Sequence, residues 1–282
     1  MIDRPLISVH ELQSHDQDPD WIVCDCRYDL SDTAAGLEQY LASHIPGAVY
    51  VDLGKDLSAE LTGTNGRHPL PDLETLSATF ARIGISNNSQ VVTYDADGGV
   101  FASRLWWSLR YLGHEFVAVL DGGYPAWDRA GLPTKQGREN RPARHFTPTP
   151  REQMRLGIKQ ILSLGKSVDG QLLDARAPGR FRGIEEPIDP IAGHIPGALN
   201  YDWHKSLDVD GHFLPPEILQ NQLHAVLEDT PPERVIAYCG SGVSACHVLL
   251  AMQIADMDGA RLFPGSWSEW IADPSRPIST QV

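Results

Sequence analysis

Two stretches of this chain repeat each other in the same order, and this duplication constrains the fold more than any other feature. VCDCR at 23–27 returns as LLDAR at 172–176, setting Asp25 against Asp174 at an offset of 149. SHIPGAVYVD at 43–52 returns as GHIPGALNYD at 193–202, at an offset of 150. Tyr94-Asp95 matches Tyr238-Cys239 at 144, and Gly99-Val100 matches Gly242-Val243 at 143, so the first copy has one extra residue just after Asp95. Gly122 and Trp127 match Gly265 and Trp270, again at 143. A repeat of this length means one architecture built twice, so it is settled before any motif is interpreted.

Within each copy, short apolar and β-branched runs alternate with helical patterns. WIVCDC, GAVYVD, QVVTYD and FVAVLD read as strands in the first copy, and QLLDAR, GALNYD and RVIAYC in the second. PDLETLSATFARIG carries Leu73, Leu76 and Phe80 on one face, between Pro71 and Gly84. VFASRLWWSLRYLG carries Leu105, Leu109 and Leu112 on one face and stops at Gly113; PPEILQNQLHAVLE and VSACHVLLAMQIAD complete the set. Wholly apolar strands separated by helices predict an α/β fold, with a mostly parallel sheet in each copy and helices on both faces. The expected division is a first domain over 1–135, a linker over 136–152 and a second domain over 153–282. The linker region is rich in Pro and Arg and is expected to run extended over the surface.

The chain has 282 residues and a net charge of −14, of which 1–150 contribute −8 and 151–282 contribute −6. Acidity spread this evenly offers no footprint for nucleic acid or for an anionic membrane surface. No apolar run nears the ~18 residues that span a bilayer. The opening MIDRPLISVHEL lacks a basic segment followed by an apolar one, so the expected compartment is the cytoplasm. Four cysteines are too few for a disulfide scaffold of this size. Cys24 and Cys26 form a C-x-C inside a strand, but no second pair or histidine couple completes a zinc site, and they read as buried core thiols.

The copies differ where a parallel sheet usually places its chemistry, at the C-terminal end of a strand. In RVIAYC-GSGVSA-CHVLLAM, Cys239 closes a strand, Gly240-Ser241-Gly242-Val243-Ser244 turns, and a helix begins at once. Two glycines allow the backbone N–H groups to turn inward, and the helix N-terminus adds partial positive charge. Both favour a thiolate, and both would equally hold an added outer sulfur, Cys–S–S⁻. A cysteine phosphatase needs an arginine six residues after its cysteine, where this chain has Ala245. The first copy has Asp95 in the cysteine slot and is expected to be non-catalytic.

HIPGA in both copies, DAR followed by GRF at 174–181, CGSGVSA at 239–245 and GSWSEW at 265–270 together resemble the tandem rhodanese-type sulfurtransferases. The likeness covers essentially the whole chain. It implies an enzyme with a catalytic second domain, no metal and no organic cofactor. The implied reaction carries a sulfane sulfur from a small donor to a thiophilic acceptor such as cyanide, a thiol or thioredoxin. In this family the neutral C-G-S-G-V-T/S-A loop goes with 3-mercaptopyruvate as donor, and basic residues there go with thiosulfate. The mercaptopyruvate group also holds its keto acid with two arginines. The first maps onto Arg180; the second slot, after Glu186-Pro187, holds Ile188, and Arg182 is the nearest substitute in sequence. A His and an Asp near the loop serine are further implied. His68 in GRHPLP matches the His, giving a Ser241–His68 proton relay, while the Asp position falls on Gly54 with Asp56 close by. The resemblance leaves open a thiosulfate donor, and a persulfide carrier without turnover remains the rival of another class.

Overall fold

The structure, a computed structural model, describes Ile2, residues 4–164 and residues 169–280. The chain forms two compact units that interleave in sequence. The first comprises Met1–Ala59, Pro71–Arg151 and Asp208–Phe213; the second comprises Glu60–Leu70, Glu152–Leu207 and Leu214–Val282. Residues 60–70 therefore belong structurally with the second copy although they lie within the first.

The first unit is built on β1 (Leu6–Ile7), β2 (Trp21–Asp25), β3 (Val49–Tyr50), β4 (Gln90–Tyr94) and β5 (Val117–Leu120), in the order β1-β5-β4-β2-β3. Every pairing is parallel. Strands β2, β4 and β5 are buried at every position, which is why they read as continuous apolar runs with no alternation. The helices are α1 (Val9–Gln13), α2 (Ala35–Ala42), α3 (Leu73–Arg82), α4 (Ala102–Tyr111) and α5 (Gly123–Arg129). Asp72 caps α3 by accepting the Thr75 N–H at 2.7 Å, and the helix buries Leu76 and Phe80, as its spacing predicts.

Helix α4 departs from the one-faced expectation, since nine of its ten residues are buried, Ser103, Arg104 and Ser108 among them. The serines escape the usual penalty by turning back onto backbone carbonyls four residues earlier. Ser103 Oγ donates to the Gly99 carbonyl at 2.6 Å and Ser108 Oγ to the Arg104 carbonyl at 2.8 Å. The segment leading to residue 151 runs extended along the first unit. There Arg144, Thr149 and Arg151 donate their N–H groups to the Ala81, Leu112 and Tyr111 carbonyls.

The second unit repeats the plan with β6 (Gln171–Asp174), β7 (Leu199–Asn200), β8 (Val235–Tyr238) and β9 (Arg261–Leu262), in the order β7-β6-β8-β9 and again all parallel. Its helices are α6 (Ile158–Ile161), α7 (Pro178–Phe181), α8 (Pro216–Leu227), α9 (Ser244–Ile254) and α10 (Ser266–Trp270). The core gathers Leu172, Ile236, Tyr238, Phe263, Trp267 and Trp270. Strand β8 lies inside the sheet between β6 and β9, and Cys239 is the residue that follows it.

The repeated landmarks turn out to be one buried clamp built twice. Arg27 forks onto Asp25 and donates to the Ser43 carbonyl at 2.7 Å, just before the first HIPG turn. Arg176 forks onto Asp174 and donates to the Gly193 carbonyl at 2.6 Å, just before the second. In each copy the tyrosine at the strand end, Tyr94 or Tyr238, accepts the N–H of the HIPG isoleucine. The clamp fixes the turn against the sheet whether or not a cysteine follows the strand.

Candidate active site

The loop after β8 holds Cys239 almost fully buried. Its thiol accepts the Gly242 N–H at 3.1 Å, so the amide inferred from the glycines does face the sulfur. Gly242 has φ +76°, and a Cβ there would overlap the Pro264 carbonyl, so the turn admits only glycine. Val243 is buried and caps α9, and Ser244, half-buried, is its first residue. From the other side, α10 grips the loop. Trp267 and Ser268 donate N–H groups to the Cys239 and Gly240 carbonyls, each at 2.9 Å. Ser266 Oγ accepts the Cys239 N–H at 3.0 Å and donates to the Phe263 carbonyl at 3.0 Å.

Residues 66–68 lie along the same loop. His68 Nδ1 and Ser241 Oγ stand 2.8 Å apart, both side chains buried. Arg67 donates its backbone N–H to Ser268 Oγ at 3.0 Å. Its guanidinium holds both oxygens of Asp189, Nε to Oδ1 at 3.1 Å and Nη2 to Oδ2 at 3.3 Å. Arg180 holds Glu186 through Nε at 2.9 and 3.0 Å and meets Asp189 Oδ2 at 3.0 Å through Nη2. Glu186 also accepts the Ile188 and Asp189 N–H groups and pairs with Arg176. The result is a chain of alternating charges, Arg67–Asp189–Arg180–Glu186–Arg176–Asp174, that ends beside Gly240.

The candidate residues Cys239, Gly240, Ser241, Gly242, Val243, Ser244, His68 and Arg180 are thus brought into one neighbourhood. Ile188 is exposed. Arg182 is also exposed and turns its Nε back to the Pro178 carbonyl, so it does not substitute for an arginine at 188. Asp56 accepts from Arg82 and from the Asp52 N–H, and the Gly54 N–H donates to Asp52. Arg67, Asp189 and Ser266 were not visible as site residues in the sequence. Arg67 had one signal, its place next to His68. Ser266 had another, since it stands where the first copy has Gly123.

The first copy shows how many amides this loop can turn inward, although burial still pushes the carboxyl they meet above the usual carboxylate range. Asp95 occupies the cysteine position, and its carboxylate accepts four backbone N–H groups. Those of Asp97 and Gly99 reach Oδ1, each at 2.8 Å, while those of Phe101 and Ala102 reach Oδ2 at 2.7 and 2.9 Å. Gly242, Ser244 and Ala245 stand at the repeat positions of Gly99, Phe101 and Ala102. The other cysteines have different surroundings. Cys24 and Cys26 lie in and just after β2, and burial pushes the Cys24 thiol up to about 12 and the Cys26 thiol well above the ordinary range. Cys246 is buried on α9 and donates to the Gly242 carbonyl. Among the described residues no group of three or more His, Cys, Asp or Glu could hold a metal ion, and no helix is long and apolar enough to cross a membrane.

Comparison with known proteins agrees with this geometry. A rhodanese-like domain model matches twice, at 8–130 and 158–273. A Pseudomonas aeruginosa protein named as a probable 3-mercaptopyruvate sulfurtransferase is 44% identical over 99% of both chains. A Mycobacterium tuberculosis protein carrying the name of a thiosulfate sulfurtransferase is 41% identical over 97% of this chain and 96% of its own. The solved 3-mercaptopyruvate sulfotransferase structure from Escherichia coli superposes with a TM-score of 0.81 at 29% identity, over 94% of this chain and all of that one. The doubled clamp, the loop after β8 and these matches together place the chain in the rhodanese-like family, as a two-domain sulfurtransferase.

Proposed function

We propose that the enzyme takes sulfur from 3-mercaptopyruvate and passes it to a thiophilic acceptor through a persulfide on Cys239, in the cytoplasm. The observation that supports this reading is the Gly242 N–H on Cys239 Sγ, in a loop whose first-copy twin turns four amides onto the Asp95 carboxyl group. The Cys239 thiolate attacks the donor sulfur. An S–S bond forms, the C–S bond breaks, and its electron pair leaves on carbon as the enolate of pyruvate. The proton of the donor thiol passes to that carbon through the Ser241–His68 pair, a role supported by their 2.8 Å contact. The loop amides hold Cys–S–S⁻ until cyanide, a small thiol or reduced thioredoxin attacks the outer sulfur and restores the thiolate. Arg180 receives the donor's carboxylate.

The donor is read from the uncharged loop, and from the name of the Pseudomonas aeruginosa relative. The name of the Mycobacterium tuberculosis relative favours thiosulfate as the second reading. The deciding experiment is the ratio of kcat/KM for the two donors with cyanide as acceptor. The ratio is expected to favour mercaptopyruvate, with measurable slower use of thiosulfate, and Cys239→Ser is expected to abolish both. A preference for thiosulfate overturns the donor assignment, and a fully active Cys239→Ser overturns the nucleophile.

A further inference from the structure

We infer that Ser268 is a positioning residue for the sulfur transfer: it holds the cysteine loop and the His68 segment in one register and so sets the Ser241–His68 contact. This rests on the reading of that contact as a proton relay. Residues 60–70, the cysteine loop and α10 belong to the same compact unit, so the arrangement lies within one body.

Three observations carry the inference. The first is that one residue holds both sides of the relay. Ser268 donates its backbone N–H to the Gly240 carbonyl at 2.9 Å, and Gly240 immediately precedes Ser241. Ser268 Oγ accepts the Arg67 N–H at 3.0 Å, and Arg67 immediately precedes His68. Both relay members therefore hang from a single point, each one residue away. The Ser268 hydroxyl gives its own proton to the Gly265 carbonyl at 3.4 Å, which leaves its lone pairs for the Arg67 amide. The second observation is how closely the segment lies on α10. Gly66 has φ +85°, and a Cβ there would stand 2.9 Å from the Gly265 carbonyl oxygen and 3.1 Å from Ser268 Oγ. Glycine is what allows the backbone of this segment to come within hydrogen-bond reach of Ser268.

The third observation is the contrast between the copies. The Trp267 N–H on the Cys239 carbonyl has its twin in the first copy, where the Tyr124 N–H meets the Asp95 carbonyl at 2.8 Å. The next residue along is Ser268 in the second copy and Pro125 in the first, at the same offset of 143. Proline has neither an N–H nor a hydroxyl, so neither Ser268 bond can form there. The bond that folds the loop is thus present twice, and the two that Ser268 adds occur only in the copy with a nucleophile to serve. The contact they control is tight, with 2.8 Å between His68 Nδ1 and Ser241 Oγ. A hydrogen bond weakens steeply as its partners bend or separate, and misplacing a reacting group by about 1 Å can cost on the order of 10²-fold in rate.

The test is steady-state turnover of 3-mercaptopyruvate and cyanide by the full-length enzyme. Ser268→Ala keeps the N–H on Gly240 but loses the acceptor for Arg67, and it is expected to lower kcat roughly 3- to 10-fold. Ser268→Thr, which keeps the hydroxyl, is expected to recover most of that loss. Gly66→Ala, which pushes the same segment off α10, is expected to lower kcat at least as much as Ser268→Ala. The deciding measurement is a double-mutant cycle. In a His68→Asn background, where the relay is already gone, Ser268→Ala should cost less than about 2-fold. Should Ser268→Ala not fold, Gly66→Ala in both backgrounds makes the same cycle. A parental kcat in either alanine variant, equal losses with alanine and threonine at 268, or an undiminished loss in the His68→Asn background overturns the inference. If His68→Asn alone keeps the parental kcat, the relay reading itself has failed, and that result needs no Ser268 variant to be seen.

Discussion

Ser266 is buried, has φ +55° and accepts the Cys239 N–H on its hydroxyl oxygen, and these properties oppose each other in a measurable way. A side-chain-bearing residue in the left-handed region costs about 1–2 kcal/mol. Removing the hydroxyl leaves a buried N–H without its acceptor, which costs about 1–3 kcal/mol. Ser266→Ala loses the hydrogen bond and keeps the strain, so it is expected to destabilise the enzyme by about 1–3 kcal/mol. Ser266→Gly loses the same bond but relieves the strain, less about 0.4–1 kcal/mol for the greater freedom of the unfolded chain. Glycine is therefore expected to be more stable than alanine by about 1 kcal/mol, a reversal of their usual order inside a helix. The first copy agrees, because Gly123 fills the matching place with φ +57°. The assay is urea unfolding of the wild type and both variants, read as midpoint shifts at constant m. Both variants are also expected to lower kcat, since the nucleophile's backbone is no longer pinned. An alanine variant as stable as the glycine variant refutes the strain, and two variants as stable as wild type refute the hydroxyl's role.

The buried thiols of the first unit set a pH dependence. The Cys24 thiol, pushed up by burial to about 12, keeps its proton in the folded chain, whereas in the unfolded chain it ionises above roughly 8.5. Stability should therefore fall as pH rises through that window, and Cys24→Ala should flatten the fall by up to about 1.4 kcal/mol per pH unit, checked by urea unfolding at neutral and alkaline pH; an unchanged slope rejects it. Ser241→Ala and His68→Asn should each lower kcat on the order of 10- to 100-fold, and the double variant should be little worse than either. Steady-state kinetics that show full activity in either single variant, or additive losses, reject the relay. Arg176→Ala and Arg27→Ala each strand a buried carboxylate and should lose about 3–5 kcal/mol of stability; a loss below about 1 kcal/mol in either would show that the clamp does not hold the turn.

The parallel sheets and the reactive loop were legible in the sequence because each rests on local signals. These signals are apolar runs, a cysteine at a strand end, and glycines where the chain must turn. The doubled HIPG landmark was legible as a repeat, and its clamp could be inferred because the Asp–Arg pair recurs in the copy that has Asp95 in place of the reactive cysteine. Strands β1 and β9 have two residues each and lie outside the repeated motifs, whereas the equally short β3 and β7 were marked by the HIPGA repeat that precedes them. Helix α4 departs from its one-faced pattern for a different reason, since its serines are buried with their hydroxyls on backbone carbonyls four residues earlier, which no spacing announces. Arg67 was hidden by distance along the chain. Its partner Asp189 lies 122 residues away, and an arginine in a loop has no pattern that announces such a contact.

The interleaving of the two units bears on how this protein can be taken apart. A cut anywhere in 136–152 would look like a clean separation of two modules, yet the released C-terminal piece would lack residues 60–70, which complete the second unit. It would keep Cys239 and its loop but lose the histidine on Ser241 and the arginine at Gly240. The half without the reactive cysteine is thus a donor of parts to the half that has it. Duplication has left this chain with two copies of a fold but a single, jointly owned machine, and only the intact chain, or both fragments reassembled, contains all of its pieces.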